Sequence, residues 1–207
     1  MDFLQIFTLI TGIAYIVLEI RQKNFMWVVG IATSLAAMWV FFRQGLYASF
    51  GLNTYYFITA FIGLWQWRRN KTAFSETSSV GHDTIVLNRL SWKTVIISAV
   101  VTVIGVVALS WGMDYLHDSG LLAENPMSLL DSAVAVLSAV ATWWLVKSYR
   151  EQWWLWIVAD AMSVALCAMQ GMWWMAALYV AYVAGAVVGL VHWKKHGVLI
   201  QENDNGI

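Results

Sequence analysis

The sequence predicts an all-α integral membrane protein of seven transmembrane helices, arranged as three, one and three. Three observations predict it: apolar residues come in blocks of 17 or more, basic residues gather in alternate loops, and the second half repeats the first at a spacing of 126 residues. Composition agrees. Of 207 residues, 60% are hydrophobic and 12% charged, whereas soluble domains carry about 25% charged residues.

Seven apolar segments are marked: Phe3–Ile20, Phe25–Phe42, Leu46–Trp67, Thr94–Met113, Ser128–Val146, Trp153–Met169 and Met172–Trp193. Each is long enough for a hydrocarbon core of about 30 Å at about 1.5 Å per residue. Period-two alternation is absent, which argues against a β-barrel. Between the third and fourth segments, "KTAFSETSSVGHD" reads as a solvated linker. Pro126 precedes the fifth segment, where it interrupts no helical bonding.

Orientation follows from charge. Arg21, Lys23, Arg68, Arg69, Lys71, Arg89, Lys93, Lys147, Arg150, Lys194 and Lys195 all fall on one side, and only Arg43 falls on the other. Asp114, Asp118 and Glu124 share the side of Arg43. The positive-inside rule makes the basic side cytoplasmic, so the N-terminus is outside and the C-terminus inside. The chain is expected in the inner membrane. "MDFLQIFTLITG" has no basic n-region or cleavage site, so no signal peptide is expected.

The repeat is visible without gaps. Trp27 meets Trp153, Gln44-Gly45 meets Gln170-Gly171, Tyr56 meets Tyr182, and Trp67-Arg68-Arg69 meets Trp193-Lys194-Lys195. The expected organisation is a first three-helix repeat over 1–69, a linker and connecting helix over 70–126, a second repeat over 127–195 and a tail over 196–207. Three helices are an odd number, so one connecting helix gives both repeats the same orientation. Such parallel repeats occur in transporters with a binding site near the bilayer midplane.

Asp160 is the residue that most needs explaining. It lies seven residues beyond Trp153, or about 10 Å by helical rise. A carboxylate facing lipid at that depth costs several kcal/mol, so it must face protein or a wet cavity. No Lys or Arg stands at matching depth. One reading is a structural Asp within a polar cluster; the other is a counter-charge for a cationic substrate. Trp153, Trp156, Asp160, Ser163 and Cys167 follow 3/4 spacing and share one helix face. Two indoles beside an anion suit a flat cationic ring.

Comparable stripes run through the third segment (Asn53, Tyr56, Ala60, Gly63, Trp67) and the seventh (Tyr179, Tyr182, Ala186, Gly189, Trp193). Small residues allow close helix approach, and Asn or Tyr can bond across it; structural glue and substrate contact both fit. Ser34 is the repeat mate of Asp160, so the halves differ at midplane. Trp27, Trp65, Trp67, Trp143, Trp144 and Trp193 at the inner ends, with Trp111, Trp173 and Trp174 at the outer ends, are expected to form interfacial belts.

Several chemistries are excluded. No Walker-type Gly-rich phosphate loop, HExxH or nucleophile–base set is present, so no enzyme activity and no cofactor are expected. Cys167 is the only cysteine, and His82, His117, His192 and His196 read as loop or end residues, so no metal site is expected. A net charge of zero gives no reason to expect nucleic acid binding.

Together, "NFMWVVG", "LYASFGLNTYYFITAFIGLWQW", "EQWWLWIVADAMSVALCAMQGMWW" and "GLVHW" resemble the nicotinamide riboside transporter (PnuC) family over essentially the whole chain. The resemblance implies a three-plus-one-plus-three fold similar to SWEET sugar facilitators. It implies facilitated diffusion of a cationic aromatic vitamin, trapped inside by a cytoplasmic kinase. Trp153, Trp156 and Asp160 match the family's vitamin-site motif, with Asn53, Tyr56, Tyr179, Tyr182 and Ser34 completing the expected lining. The family usually has Gln at the place of Asn53, and close relatives take thiamine, so nicotinamide riboside and thiamine both stay open. A proton-coupled carrier using Asp160 is a further alternative. Some relatives assemble, so a homo-oligomer is an expectation too.

Overall fold

The structure, a computed structural model, describes residues 3–43, 47–77, 84–121 and 127–199. Seven helices and two short strands follow in order: α1 (Phe3–Ile20), α2 (Phe25–Arg43), α3 (Tyr47–Thr77), β1 (Ile85–Leu87), α4 (Trp92–Asp118), α5 (Ser128–Val146), α6 (Gln152–Met169), α7 (Trp173–His196) and β2 (Gly197–Leu199). Among the described residues, α4 to α7 are each long and apolar enough to cross a membrane, and Phe25–Ala36 is a shorter apolar stretch. The Gln44-Gly45 turn, His82 and Pro126 lie outside the described residues.

Helix boundaries keep the 126-residue spacing. Ile20 and Val146 end the first helix of each repeat, Arg43 and Met169 the second, and Tyr47 and Trp173 begin the third. The turns repeat as well. Gln22 (φ 48) and Ser148 (φ 56), again 126 apart, are the two non-glycine residues in the left-handed region among those described. Each closes a Schellman turn: Gln22 N–H to Glu19 O and Lys23 N–H to Leu18 O at 2.9 Å, then Ser148 N–H to Leu145 O at 2.9 Å and Tyr149 N–H to Trp144 O at 3.0 Å.

Two compact units emerge: Met1–Arg89 with Thr142–Arg150 and Gly189–Ile207, and Leu90–Ala141 with Glu151–Val188. The core of the first is aromatic. Trp27 and Trp67 meet edge to face at 5.0 Å, and Trp67 and Trp193 at 6.4 Å. Gly63 makes room for this: a Cβ there would stand 2.5 Å from the Trp27 indole. In the second unit, Gly105 of α4 lets Val136 of α5 approach to 3.1 Å from where its Cβ would be. Ser110 is the buried residue of α4. Ser91 caps that helix, accepting from Thr94 N–H at 3.2 Å.

Two expectations are corrected. The stretch after Trp67 is not simply a solvated linker: α3 continues to Thr77, and Ile85–Leu87 forms a buried strand paired in parallel with Gly197–Leu199. Several belt tryptophans are core residues: Trp27 is 2% exposed, Trp67 1%, Trp144 6% and Trp193 0%. The belt reading fits Trp65, Trp143, Trp111 and Trp173, which are exposed; Arg69 lies over Trp65 at 5.4 Å and Lys147 over Trp143 at 5.2 Å. His192 and His196 fall at the end of α7, as expected. They sit one turn apart in α7 with rings 4.4 Å apart. Among the described residues, no three metal-capable side chains gather.

Candidate functional site

The 3/4 spacing on α6 defines a buried face. Trp153, Asp160, Ser163 and Cys167 are buried and Trp156 is half-buried, while Trp154, Val158 and Met169 on the other side are exposed. Asp160 is 8% exposed. Its side chain is therefore turned away from the surface lipid would cover. Among the described residues, no hydrogen bond or ion pair reaches its carboxylate. Ser163 does not help, because its hydroxyl donates to Ala159 O at 2.9 Å within the helix.

Tyr179 and Tyr182 on α7 complete this part of the site. Their rings meet at 5.8 Å and 88°, and both residues lie within electrostatic range of Asp160. Ala186 and Leu178 are buried, while Val180, Val187 and Val188 are exposed, so the tyrosine stripe is on the inward face of α7. The second unit thus holds Trp153, Trp156, Asp160, Tyr179 and Tyr182. The Trp156 indole N–H is buried with no acceptor among the described residues, as is that of Trp27 in the first unit. A buried donor left unpaired is costly, so a visiting acceptor satisfies it at a gain.

Asn53, Tyr56 and Ser34 belong to the first unit. Asn53 and Tyr56 are half-buried on α3, Tyr56 packs against Tyr55 at 5.7 Å, and Ser34 of α2 is 6% exposed. Two residues escaped the sequence reading. Glu19 is 4% exposed and lies, with Tyr56, within electrostatic range of Tyr15. Asp131, in the first turn of α5, lies within electrostatic range of Tyr179 in the second unit. Both stand at helix ends, where a charge is ordinary and gives no signal in a single sequence.

A buried carboxylate beside indoles and tyrosines, in helices built to cross a bilayer, defines a multi-pass membrane protein that handles a small molecule. Comparison with known proteins gives the particular kind. The chain belongs to the nicotinamide mononucleotide transporter family, whose profile matches residues 2–195. It is similar to the nicotinamide riboside transporter PnuC of Neisseria mucosa, 26% identical over 90% of this chain and 70% of that protein. To its Escherichia coli counterpart it is 27% identical, over 74% of this chain and 69% of that one. The fold is similar to the crystal structure of the vitamin B3 transporter PnuC, with a TM-score of 0.64, 25% identity, and coverage of 91% and 79%. The protein is therefore a vitamin transporter and not an enzyme.

Proposed function

We propose that the protein carries nicotinamide riboside across the inner membrane by facilitated diffusion, with a cytoplasmic kinase trapping the vitamin. The observation that carries this reading is the Asp160 carboxylate: buried, on the indole-bearing face, with no cationic mate among the described residues. In this reading the substrate's positively charged ring offsets Asp160, Trp153 and Trp156 stack on that ring, and Tyr179 and Tyr182 close over it.

The riboside is favoured over its phosphorylated form by charge. Residues 90–141 and 151–188 contain one basic residue, Lys93, against Asp114, Asp118, Glu124, Asp131, Glu151 and Asp160. A phosphate in low dielectric needs Arg or Lys donors, and this unit offers repulsion instead. The names of the two relatives above point to the riboside as well. The basic loops support a cytoplasmic C-terminus.

The test is uptake into liposomes, with nicotinamide riboside, its mononucleotide and thiamine as competitors. Saturable riboside flux, indifferent to a pH gradient and to the mononucleotide, is the expected result. Flux that follows an imposed proton gradient makes Asp160 a proton relay, and stronger competition by thiamine reassigns the substrate.

A further inference from the structure

A second carboxylate stands near the substrate face, within the same compact unit. α6 and α7 are joined by a tight turn: Gly171 has φ 74, and Met172 N–H donates to Cys167 O at 2.8 Å. The end of α6 and the start of α7 therefore lie at one level. Asp160 is nine residues from Met169, and Tyr182 is nine from Trp173, so each lies about 13 Å from that level at about 1.5 Å per residue. Tyr179 is six residues from Trp173 and Cys167 two from Met169, which places them about 9 Å and about 3 Å from it.

Successive spans alternate in direction, so α5 begins on the side where α6 ends and α7 begins. Asp131 is three residues past Ser128, about 5 Å from the start of α5. The neighbours of the two tyrosines follow these depths. Tyr182 lies within electrostatic range of Asp160, whereas Tyr179, almost one turn nearer the helix ends, lies within range of Asp160, Cys167 and Asp131. Tyr179 thus stands between two carboxylates whose depths differ by about 9 Å. Asp131 is turned away from lipid. Leu129, 62% exposed, is two residues before it, about 200° round the helix, and Asp131 itself is half-buried.

The two carboxylates ask for different partners. Asp160 is buried with no partner among the described residues, and one positive ring satisfies it. Asp131 needs no cation. It is in the first turn of α5, where the helix dipole favours an anion, and it already has a partner within the protein. A carboxylate has about four acceptor positions, so others stay open to hydroxyl donors. Resting on the riboside reading, we infer that Asp131 binds the sugar: with the charged ring at Asp160, the ribose runs past Tyr179 and donates its vicinal hydroxyls to the Asp131 carboxylate. Acidic side chains recognise ribose hydroxyls in this way in dinucleotide-binding folds. The placement also gives selectivity. A phosphate on the same sugar brings further negative charge toward Asp131, and Lys93, the one basic residue of 90–141 and 151–188, begins α4 on the opposite side.

Calorimetric titration of the full chain with nicotinamide riboside and with 1-methylnicotinamide, which has the charged ring and no sugar, isolates this contact. The parent is expected to prefer the riboside by about tenfold or more, as hydrogen bonds to a charged group supply. Asp131→Ala is expected to bring that preference down to about twofold, with 1-methylnicotinamide affinity within about threefold of the parent; the second titration also shows that the variant is folded. Asp131→Asn keeps the shape and removes the charge, so the mononucleotide is expected to gain about fivefold or more against the riboside in competition. Asp160→Asn is expected to weaken the riboside and 1-methylnicotinamide alike. An Asp131→Ala variant that keeps the parent's preference overturns the sugar assignment. So does one that loses both ligands equally, since Asp131 then supports the fold and not the sugar. An Asn variant that rejects the mononucleotide as strongly as the parent overturns it as well. A parent that does not bind the riboside removes the substrate reading and the sugar assignment with it; riboside binding with an unchanged preference in the Asp131 variants removes the sugar assignment alone.

Discussion

The aromatic core of the first unit and the inward face of α6 are both rich in tryptophan, yet their polar groups are paired to different degrees. In that core the indole N–H groups of Trp67 and Trp193 and the Gln22 amide have backbone partners at 2.8 to 3.0 Å, while the Trp27 N–H has no acceptor among the described residues. On α6 the Asp160 carboxylate and the Trp156 N–H have none among the described residues. Burial is similar, so exposure does not explain the difference. Paired groups build structure and repay their desolvation on folding; unpaired ones repay it only when something arrives. The same contrast separates repeat mates: Ser34 is a neutral residue where the second half has Asp160.

Substitutions at four positions break or sharpen that contrast. Asp160→Ala is expected to have the largest effect, a loss of riboside affinity of about 100-fold or more by calorimetry, because a desolvated cation loses its counter-charge. Trp156→Ala comes next, at about tenfold, with Trp156→Phe between it and the parent, as expected when stacking and the N–H both contribute. Gly63→Ala acts on the paired side. Its Cβ meets the Trp27 indole at 2.5 Å, so it lowers the melting temperature by overpacking worth about 1–3 kcal/mol, with affinity little changed in the folded fraction. Trp173→Ala is the smallest. That side chain is exposed, and affinity is expected to move by less than about twofold.

Much of this was legible in the sequence, for physical reasons. A helix that crosses lipid must be apolar for its whole length, so the seven segments announce themselves. The 126-residue spacing survives in the Tyr and Trp-basic pairs because Tyr56, Tyr182, Trp67 and Trp193 sit on inward faces. The α6 face is local, since 3/4 spacing places Trp153, Trp156 and Asp160 without reference to any other helix. What was hidden is non-local. Gln22 finds Val86 at a separation of 64 residues, and Trp193 finds Ile20 at 173. Strands of three residues show no periodicity, and "IVL" and "GVL" pair across 112 positions, from Ile85 to Gly197. Trp67 and Trp193 passed for belt residues because an interfacial indole and a buried one occupy the same place in a sequence.

The central claim is that Asp160 recognises charge. Nicotinamide riboside and its dihydro form have nearly the same shape, but only the first has a positively charged ring. Calorimetric titration of the parent protein and of Asp160→Asn with both ligands isolates that one term as a thermodynamic cycle. The parent is expected to prefer the charged ring by about tenfold or more, and Asp160→Asn to bind both ligands weakly and alike. A parent that binds the neutral form as tightly as the charged one, or an Asn variant that keeps the full preference, would contradict the account.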